Sequence, residues 1–201
     1  DGIAVASAIE LNGGTMIDAL GGAIELSLPG YTLPAIKVDA TAPETTITAQ
    51  PASSSASTSA EFTFGSAEAG TSFEASLDGA DYATATSPAT YTGLADGSHT
   101  FSVRAIDAVG NVDASPASYT WTIDTVAPET TITAQPASSS VSTSASFTFS
   151  GNDAAGTGVA SFEASLDGAA YAATTSPATF AGLAEGAHTF AVRAIDAVGN
   201  V

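Results

Sequence analysis

The sequence contains no cysteine. Disulfide bonds, thiolate metal sites and cysteine nucleophiles are therefore excluded. A secreted protein that lacks disulfides needs another source of stability, and a bound metal ion is one such source. Any metal site in this chain is accordingly expected to use oxygen ligands.

Basic residues are also scarce. Lys37, Arg104 and Arg193 stand against 21 acidic residues, which gives a formal net charge of -18. A chain with this charge repels nucleic acids and anionic membrane surfaces, and it attracts cations. We therefore expect no nucleic-acid partner.

Long apolar runs are absent as well, because no segment approaches the ~20 residues that a membrane-spanning helix needs. We therefore expect no membrane insertion. Hydrophobic residues nevertheless make up 44% of the chain and charged residues only 12%. This balance is typical of a packed core rather than of a disordered acidic tail. The chain begins with Asp1 rather than with Met, which predicts a mature product or a fragment.

The most prominent feature of the sequence is an internal repeat. The decamer Val103–Val112 returns unchanged at Val192–Val201, and the motif that begins at Val38 returns at Ile123. A repeat of this kind indicates a modular protein. We predict three segments: a partial β segment at 1–38, repeat 1 at 39–123, and repeat 2 at 124–201, which lacks its last strand. Residues 150–158 replace the shorter 65–71, which predicts a longer loop in repeat 2.

Within each repeat, apolar residues alternate with polar ones, and β-branched and aromatic residues dominate, which favours strands over helices. Asp78-Gly79 predicts a tight hairpin, since a type I′ turn needs positive φ at both central residues. Roughly seven short strands in ~85 residues are typical of an immunoglobulin-like sandwich. The predicted fold is therefore all-β, with tandem immunoglobulin-like β-sandwich domains preceded by a partial β domain. The predicted inward positions are Phe62, Phe64, Phe73, Ala75, Leu77, His99, Phe101, Val103, Ala105, Tyr119, Trp121 and Ile123.

The missing last strand of repeat 2 has two explanations. Asp1–Leu11 aligns with Asp113–Ile123, so residues 1–11 of a neighbouring molecule could supply the strand by β-augmentation. Residues 1–38 would otherwise be the end of a preceding immunoglobulin-like domain, and the chain a piece of a longer repeat array.

Acidic and amide side chains gather at one end of each predicted sandwich, where the linker meets two loops. Hard oxygen ligands that converge from several loops suit Ca²⁺, which takes about 6–8 of them. The alternative is that these residues cap turns through local hydrogen bonds. Asp78, Asp81 and Asp96 of repeat 1 are expected to approach the acidic group of repeat 2 from the other side of the joint between the repeats. The candidate ligands are Asp39, Glu44, Glu68, Asp107 and Asn111 in repeat 1, and Asp124, Glu129, Asp153, Asp196 and Asn200 in repeat 2.

Other chemistries receive little support. Paired acids could indicate a glycosidase, but no aromatic-lined cleft is evident beside them. His99 and His188 fit core or edge packing better than catalysis. Arg104 is expected to pair with Glu74 on the surface, and Trp121 to lie in the core. We therefore predict that the chain is not an enzyme.

The repeats resemble the bacterial immunoglobulin-like repeats of large secreted surface proteins and adhesins. The motifs that carry the resemblance are Thr41–Ile47, Phe73–Gly79, Thr86–Pro88, Gly93–Ala105 and Asp107–Asn111, and the resemblance covers residues 39–201. It implies a spacer or stalk role, often rigidified by calcium, and it gives no ligand.

The expected function is therefore a non-enzymatic structural module of an extracellular bacterial adhesin or filament, at the cell surface. Its expected partners are neighbouring immunoglobulin-like domains, in the same chain or head-to-tail between chains. Two alternatives stay open: a subunit of a self-assembling filament completed by strand donation, and a carbohydrate- or protein-binding module that uses the loops beside the linker.

Overall fold

The computed structural model describes residues 39–154 and 156–201. The chain divides into two compact units, Asp1–Val38 and Asp39–Val201, and the described residues belong to the second. The predictions for residues 1–38, including the pairing of Asp1–Leu11, lie outside the described residues. The predicted boundary between residues 123 and 124 falls within the second unit and stays a prediction.

The described residues of the first repeat form strands and no helix, as the alternating pattern predicts. The strands are β1 (Thr45–Ala49), β2 (Ser54–Ser55), β3 (Ala60–Ser66), β4 (Ser72–Leu77), β5 (Ala83–Ala85), β6 (Ala89–Tyr91), β7 (Gly97–Ile106) and β8 (Ala117–Ile123). One sheet has the order β1-β3-β6 and the other has the order β2-β8-β7-β4-β5.

Aromatic side chains from the two sheets meet in the core of this sandwich. The rings of Phe62 on β3 and Phe101 on β7 stack with centroids 4.1 Å apart. Phe64 packs against the same core from β3, and Trp121 packs from β8. Burying each such side chain contributes about 1.5–3 kcal/mol. The strand order and this packing confirm the all-β immunoglobulin-like fold.

The hairpin predicted at Asp78-Gly79 is also present. Asp78 has φ of 54° and Gly79 has φ of 76°, and the N–H of Ala80 donates to the carbonyl of Leu77 at 3.0 Å. Both central residues thus lie in the left-handed region that a type I′ turn requires.

The described residues of the second repeat form a similar set of strands in the orders β13-β10-β9 and β12-β11-β14. Phe147 on β10 stacks on Phe190 of β14 with centroids 4.1 Å apart, as Phe62 stacks on Phe101. Neither β2 nor β8 has a counterpart in this part of the chain. The strands are β9 (Glu129–Ala134), β10 (Ala145–Asn152), β11 (Val159–Leu166), β12 (Ala172–Thr174), β13 (Ala178–Phe180) and β14 (Phe190–Asp196).

Candidate cation sites beside the linkers

The turn after β7 is built around the carboxylate of Asp107. Its Oδ1 atom accepts hydrogen bonds from the backbone N–H groups of Val109, Gly110 and Asn111 at 2.9, 2.7 and 2.8 Å. Burial alone raises the pKa of the Asp107 carboxyl. The hydrogen bonds from the Asn111 side chain and from the three backbone N–H groups outweigh it and hold that pKa below its ordinary value. Asp107 is therefore a carboxylate at neutral pH.

The turn after β14 repeats this arrangement. Oδ1 of Asp196 accepts from the N–H groups of Val198, Gly199 and Asn200 at 2.9, 2.6 and 2.8 Å. The same decamer thus produces the same carboxylate-centred turn twice. The turn-capping role weighed from the sequence is present at both aspartates.

Two asparagines tie these turns to the linkers. Nδ2 of Asn111 donates to Oδ2 of Asp107 at 2.7 Å and to the carbonyl of Asp39 at 3.1 Å. Nδ2 of Asn200 donates to Oδ2 of Asp196 at 2.6 Å and to the carbonyl of Asp124 at 2.9 Å. Each amide nitrogen therefore braces a linker against a turn.

Three carboxylates converge beside each of these two asparagines. Asp39, Glu68 and Asp107 each place one oxygen within 4.8 Å of the others, and Asp124, Asp153 and Asp196 do the same. Oxygens that bind one Ca²⁺ at about 2.3–2.6 Å can lie up to about 5 Å apart. Three anionic groups at this spacing repel one another, so a divalent cation would stabilise either cluster. The structure thus brings together six of the predicted ligands.

The longer loop of repeat 2 donates hydrogen bonds to two carboxylates of the cluster formed by Asp124, Asp153 and Asp196. The backbone N–H and the hydroxyl of Thr157 donate to Oδ2 of Asp124 at 2.6 and 2.8 Å, and the N–H of Gly158 donates to Oδ2 of Asp153 at 2.6 Å. A side chain at Gly156 would collide with the Asp153 carboxylate. The sequence predicts the added length of this loop, and the structure adds the contact with Asp124.

Asp124 is the most enclosed of these carboxylates, with 2% of its surface exposed. The backbone hydrogen bond from Thr157 is the largest influence on its pKa, and burial opposes it. Further bonds from the Thr157 hydroxyl and the Val126 N–H leave the pKa of Asp124 below its ordinary value. This buried carboxylate is thus held in its charged form by the loop that covers it.

Two of the predicted ligands lie apart from the clusters. Glu44 and Glu129 are both exposed, and neither belongs to the carboxylate groups found among the described residues. Glu129 begins β9 and lies opposite Asn152 of β10. Glu44 lies just before β1, so both acids stand at the start of a strand with their side chains in solvent.

Asp113 is a structural acid that the sequence analysis did not select. It is 3% exposed, and its Oδ2 accepts from the N–H of Thr45 at 3.0 Å. Its Oδ1 accepts from the N–H and the hydroxyl of Ser115 at 2.8 and 3.1 Å. Asp113 therefore fastens the segment that leads into β8 to the start of β1. An Asp-Ala-Ser segment is itself a turn signal that could have identified it.

The joint between the repeats is bridged by Asp96. Its Oδ1 accepts from both the N–H and the hydroxyl of Thr125, each at 2.9 Å. Asp96 therefore reaches the linker residue next to Asp124, but it is not among the carboxylates grouped with Asp124. Asp78 is engaged elsewhere, because its Oδ2 binds His99 and its Oδ1 accepts from the N–H of Thr100 at 2.8 Å.

His99 joins two turns at this end of repeat 1. Nδ1 lies 2.8 Å from Oδ2 of Asp78, and Nε2 lies 2.8 Å from the carbonyl of Ala95. The Ala95 carbonyl and then Asp78 raise the pKa of His99 against the opposing effect of burial. His188 makes the same contacts with Asp167 and Ala184. Both histidines therefore connect turns, but only His99 is buried, whereas His188 is exposed.

The remaining sequence candidates are structural. Arg104 donates to Oε2 of Glu74 at 2.8 Å, and its guanidinium lies 4.1 Å from the centroid of the Tyr82 ring. Trp121 is 1% exposed, so it lies in the core and offers no binding platform. Among the described residues there is no helix of the length and apolarity required to cross a membrane.

No protein-family model and no curated protein matches the chain. The chain is similar to the central fibronectin-III array of RIM-binding protein at 17% identity with a TM-score of 0.30, over 79% of this chain and 60% of that one. It is also similar to dimeric latent PorU from Porphyromonas gingivalis at 14% identity with a TM-score of 0.33, over 84% of this chain and 18% of that one. The chain thus spans less than two thirds of either structure.

Proposed function

We propose that the chain is a non-enzymatic structural module, a spacer or stalk of an extracellular bacterial adhesin or filament. In this proposal, a calcium ion at each carboxylate cluster restrains the angle between neighbouring repeats. Neighbouring immunoglobulin-like domains are the partners. The resemblance of the repeat motifs to adhesin repeats suggests the cell-surface setting.

The observation that carries the proposal is the linker between the repeats, which is held from both sides. Asp96 of repeat 1 accepts from the N–H of Thr125 at 2.9 Å. Asn200 of repeat 2 donates to the carbonyl of Asp124 at 2.9 Å and to that of Val126 at 3.3 Å. Pro128 at the end of the linker is buried, and its fixed φ limits the remaining freedom. A linker with these contacts supports a stiff joint rather than a flexible tether.

The carboxylate clusters favour a cation in the same place. Asp124 belongs to the linker and also to a cluster, so a cation bound there would join the linker to both loops. Bound Ca²⁺ would also relieve repulsion among the acids of a chain whose formal charge is -18.

Calcium titration tests this part of the proposal. Isothermal titration of the EDTA-stripped chain should reveal Ca²⁺ binding, and Ca²⁺ should raise the melting temperature. The double variant Asp124→Asn/Asp196→Asn should lose binding at the cluster of Asp124, Asp153 and Asp196. Asp81 is exposed and belongs to neither carboxylate cluster, so Asp81→Asn serves as the matched control. Identical melting in Ca²⁺ and in EDTA would show that the clusters act only as turn caps.

A further inference from the structure

The turn between β6 and β7 of repeat 1, residues 92–96, holds the linker that leads to repeat 2. Oδ1 of Asp96 accepts from the N–H and from the hydroxyl of Thr125, each at 2.9 Å, and Oδ2 lies 3.0 Å from the same hydroxyl. The linker is thus bound through both the backbone and the side chain of one residue. Any movement of the β6–β7 turn therefore changes this attachment.

The residue that precedes Asp96 in this turn is held by His99. Nε2 of His99 lies 2.8 Å from the carbonyl of Ala95, and Nδ1 lies 2.8 Å from Oδ2 of Asp78 in the hairpin between β4 and β5. His99 is buried on β7, where it lies directly opposite Trp121 of β8. The imidazole therefore connects the packed sheet to the turn that carries Asp96.

The backbone of the β6–β7 turn has the features of a hinge. Gly93 and Gly97 stand on either side of it with φ of 69° and 125°, conformations that glycine adopts more readily than other residues. The N–H of Leu94 holds the first half of the turn by donating to the carbonyl of Thr58 at 3.0 Å. The second half is held through the Ala95 carbonyl and the Asp96 carboxylate. Loss of the bond to Ala95 would thus free the half of the turn that binds the linker.

Loss of one proton from His99 removes that bond. A neutral imidazole has a single N–H, so it can donate to one of its two acceptors only. The Asp78 carboxylate is the stronger acceptor, because a hydrogen bond to an ionised group is stronger than one to a neutral carbonyl. The proton therefore stays on Nδ1, and the lone pair of Nε2 faces the oxygen of Ala95. That contact is repulsive, so the turn is pushed away from the ring.

The surroundings of His99 set the pH at which this happens. Among the described residues, Asp78 is the charged group that contacts the ring, and β8 presents the neutral indole of Trp121 with ring centroids 5.5 Å apart. The Ala95 carbonyl and then Asp78 raise the pKa of His99 against the opposing effect of burial. The bond to the turn is therefore complete below the ordinary value of 6.5, and it is lost as the pH rises through the folded pKa.

We propose that His99 is a pH-sensitive switch for the joint between the two repeats. In its charged form it holds the β6–β7 turn in the position from which Asp96 binds Thr125. In its neutral form it releases the turn, and the repeats then sample a wider range of angles. This inference rests on the proposed spacer role, in which the angle of the joint matters, and it adds control of that angle by protons.

His188 provides an internal control for this switch. It makes the same contacts with Asp167 and Ala184. However, β14 separates it from Asp196, which lies beside the linker. Protonation of His188 should therefore leave the joint between the repeats unchanged.

A pH titration followed by nuclear magnetic resonance tests the coupling in the EDTA-treated full chain. The amide signal of Thr125 should titrate with the same midpoint as the ring signals of His99. The variant His99→Gln should lose this step, whereas the matched variant His188→Gln should retain it. A Thr125 signal that does not titrate, or that titrates equally in His99→Gln, would overturn the proposal.

The distance between the repeats gives a second readout. Spin labels at the exposed positions Glu61→Cys and Ser146→Cys should give a broader distance distribution at about pH 9, where the imidazole is neutral, than at about pH 5.5. The difference should vanish on adding His99→Gln and persist on adding His188→Gln. Equal widths at the two pH values would contradict the switch. Because these measurements are made in EDTA, their outcome is independent of the calcium proposal.

A third experiment uses the reciprocity of the coupling and leaves His99 intact. Thr125 is exposed, and Thr125→Val removes its hydroxyl bond to Asp96 without changing any charge. If protonation of His99 strengthens the hold on the linker, weakening that hold must make His99 lose its proton at a lower pH. The midpoint of the His99 titration should therefore fall in Thr125→Val, while that of His188 stays the same. An unchanged midpoint for His99 would show that the ring and the linker are not coupled.

Discussion

At the scale of residues, the hydrogen-bond acceptors around the two histidines favour the charged form of each imidazole. Both ring nitrogens of His99 face acceptors, the Asp78 carboxylate and the Ala95 carbonyl. A neutral imidazole has only one N–H, so the charged form alone satisfies both contacts. The pKa of Asp78 is correspondingly lowered: burial opposes the shift, and the bonds from His99 and Thr100 outweigh it.

These contacts predict a pH dependence of stability. Because folding raises the pKa of His99 and of His188, their contribution is complete below the ordinary value of 6.5 and is lost as the pH rises through the folded pKa. The melting temperature in EDTA should therefore fall as the pH rises above 6.5. The double variant His99→Gln/His188→Gln removes every histidine of the chain, and its melting temperature should lack this fall. An unchanged fall in that variant would assign the effect to other groups.

Asp113 gives a second prediction at this scale. Asp113→Ala removes the acceptor of the Thr45 N–H and should destabilise repeat 1 by about 1–3 kcal/mol, since this part-buried donor loses its partner. Urea unfolding followed by the fluorescence of Trp121, the only tryptophan, reports on repeat 1. The exposed Asp81→Ala should change stability by less than about 0.5 kcal/mol. Equal effects of the two substitutions would contradict the role assigned to Asp113.

At the scale of elements, alternation predicts the longer strands of repeat 1, but it does not predict β2, which pairs in parallel with β8. The predicted inward positions Phe101, Val103 and Ala105 lie on β7 and are each 0% exposed, and the hairpin at Asp78-Gly79 has the predicted backbone. The convergence of Asp39, Glu68 and Asp107 follows from strand count, because loops that end at the same side of a sandwich meet. Local sequence does not determine the contact of Thr157 with Asp124 or the engagement of Asp78 by His99. Those contacts depend on side-chain directions set by the packed sheets.

The unequal burial of Phe62 and Phe147 predicts unequal costs for one substitution in matched strands. Phe62→Ala should destabilise repeat 1 by about 3–5 kcal/mol, because a fully buried ring leaves a cavity. Phe147→Ala should cost repeat 2 clearly less, since its ring is only partly buried. Calorimetric unfolding of both variants measures the difference. Equal losses would show that the two cores are equally closed in solution.

At the scale of the whole described unit, repetition of one decamer places the same acidic turn beside two linkers. Trp121 and its ring neighbours belong to the core of repeat 1. The distinctive features of the unit are a joint held by Asp96 and Asn200 and the carboxylates beside it. The proposed mechanical role rests on these features.

The spread of distances between the two repeats tests the central claim most directly. The cysteine-free chain allows spin labels at Glu61→Cys and Ser146→Cys, two exposed positions on β3 and β10. Pulsed electron paramagnetic resonance in Ca²⁺ should give one narrow distance distribution. EDTA or the Asp124→Asn/Asp196→Asn variant should broaden it. A distribution that is equally broad with and without Ca²⁺ would contradict a cation-stiffened joint.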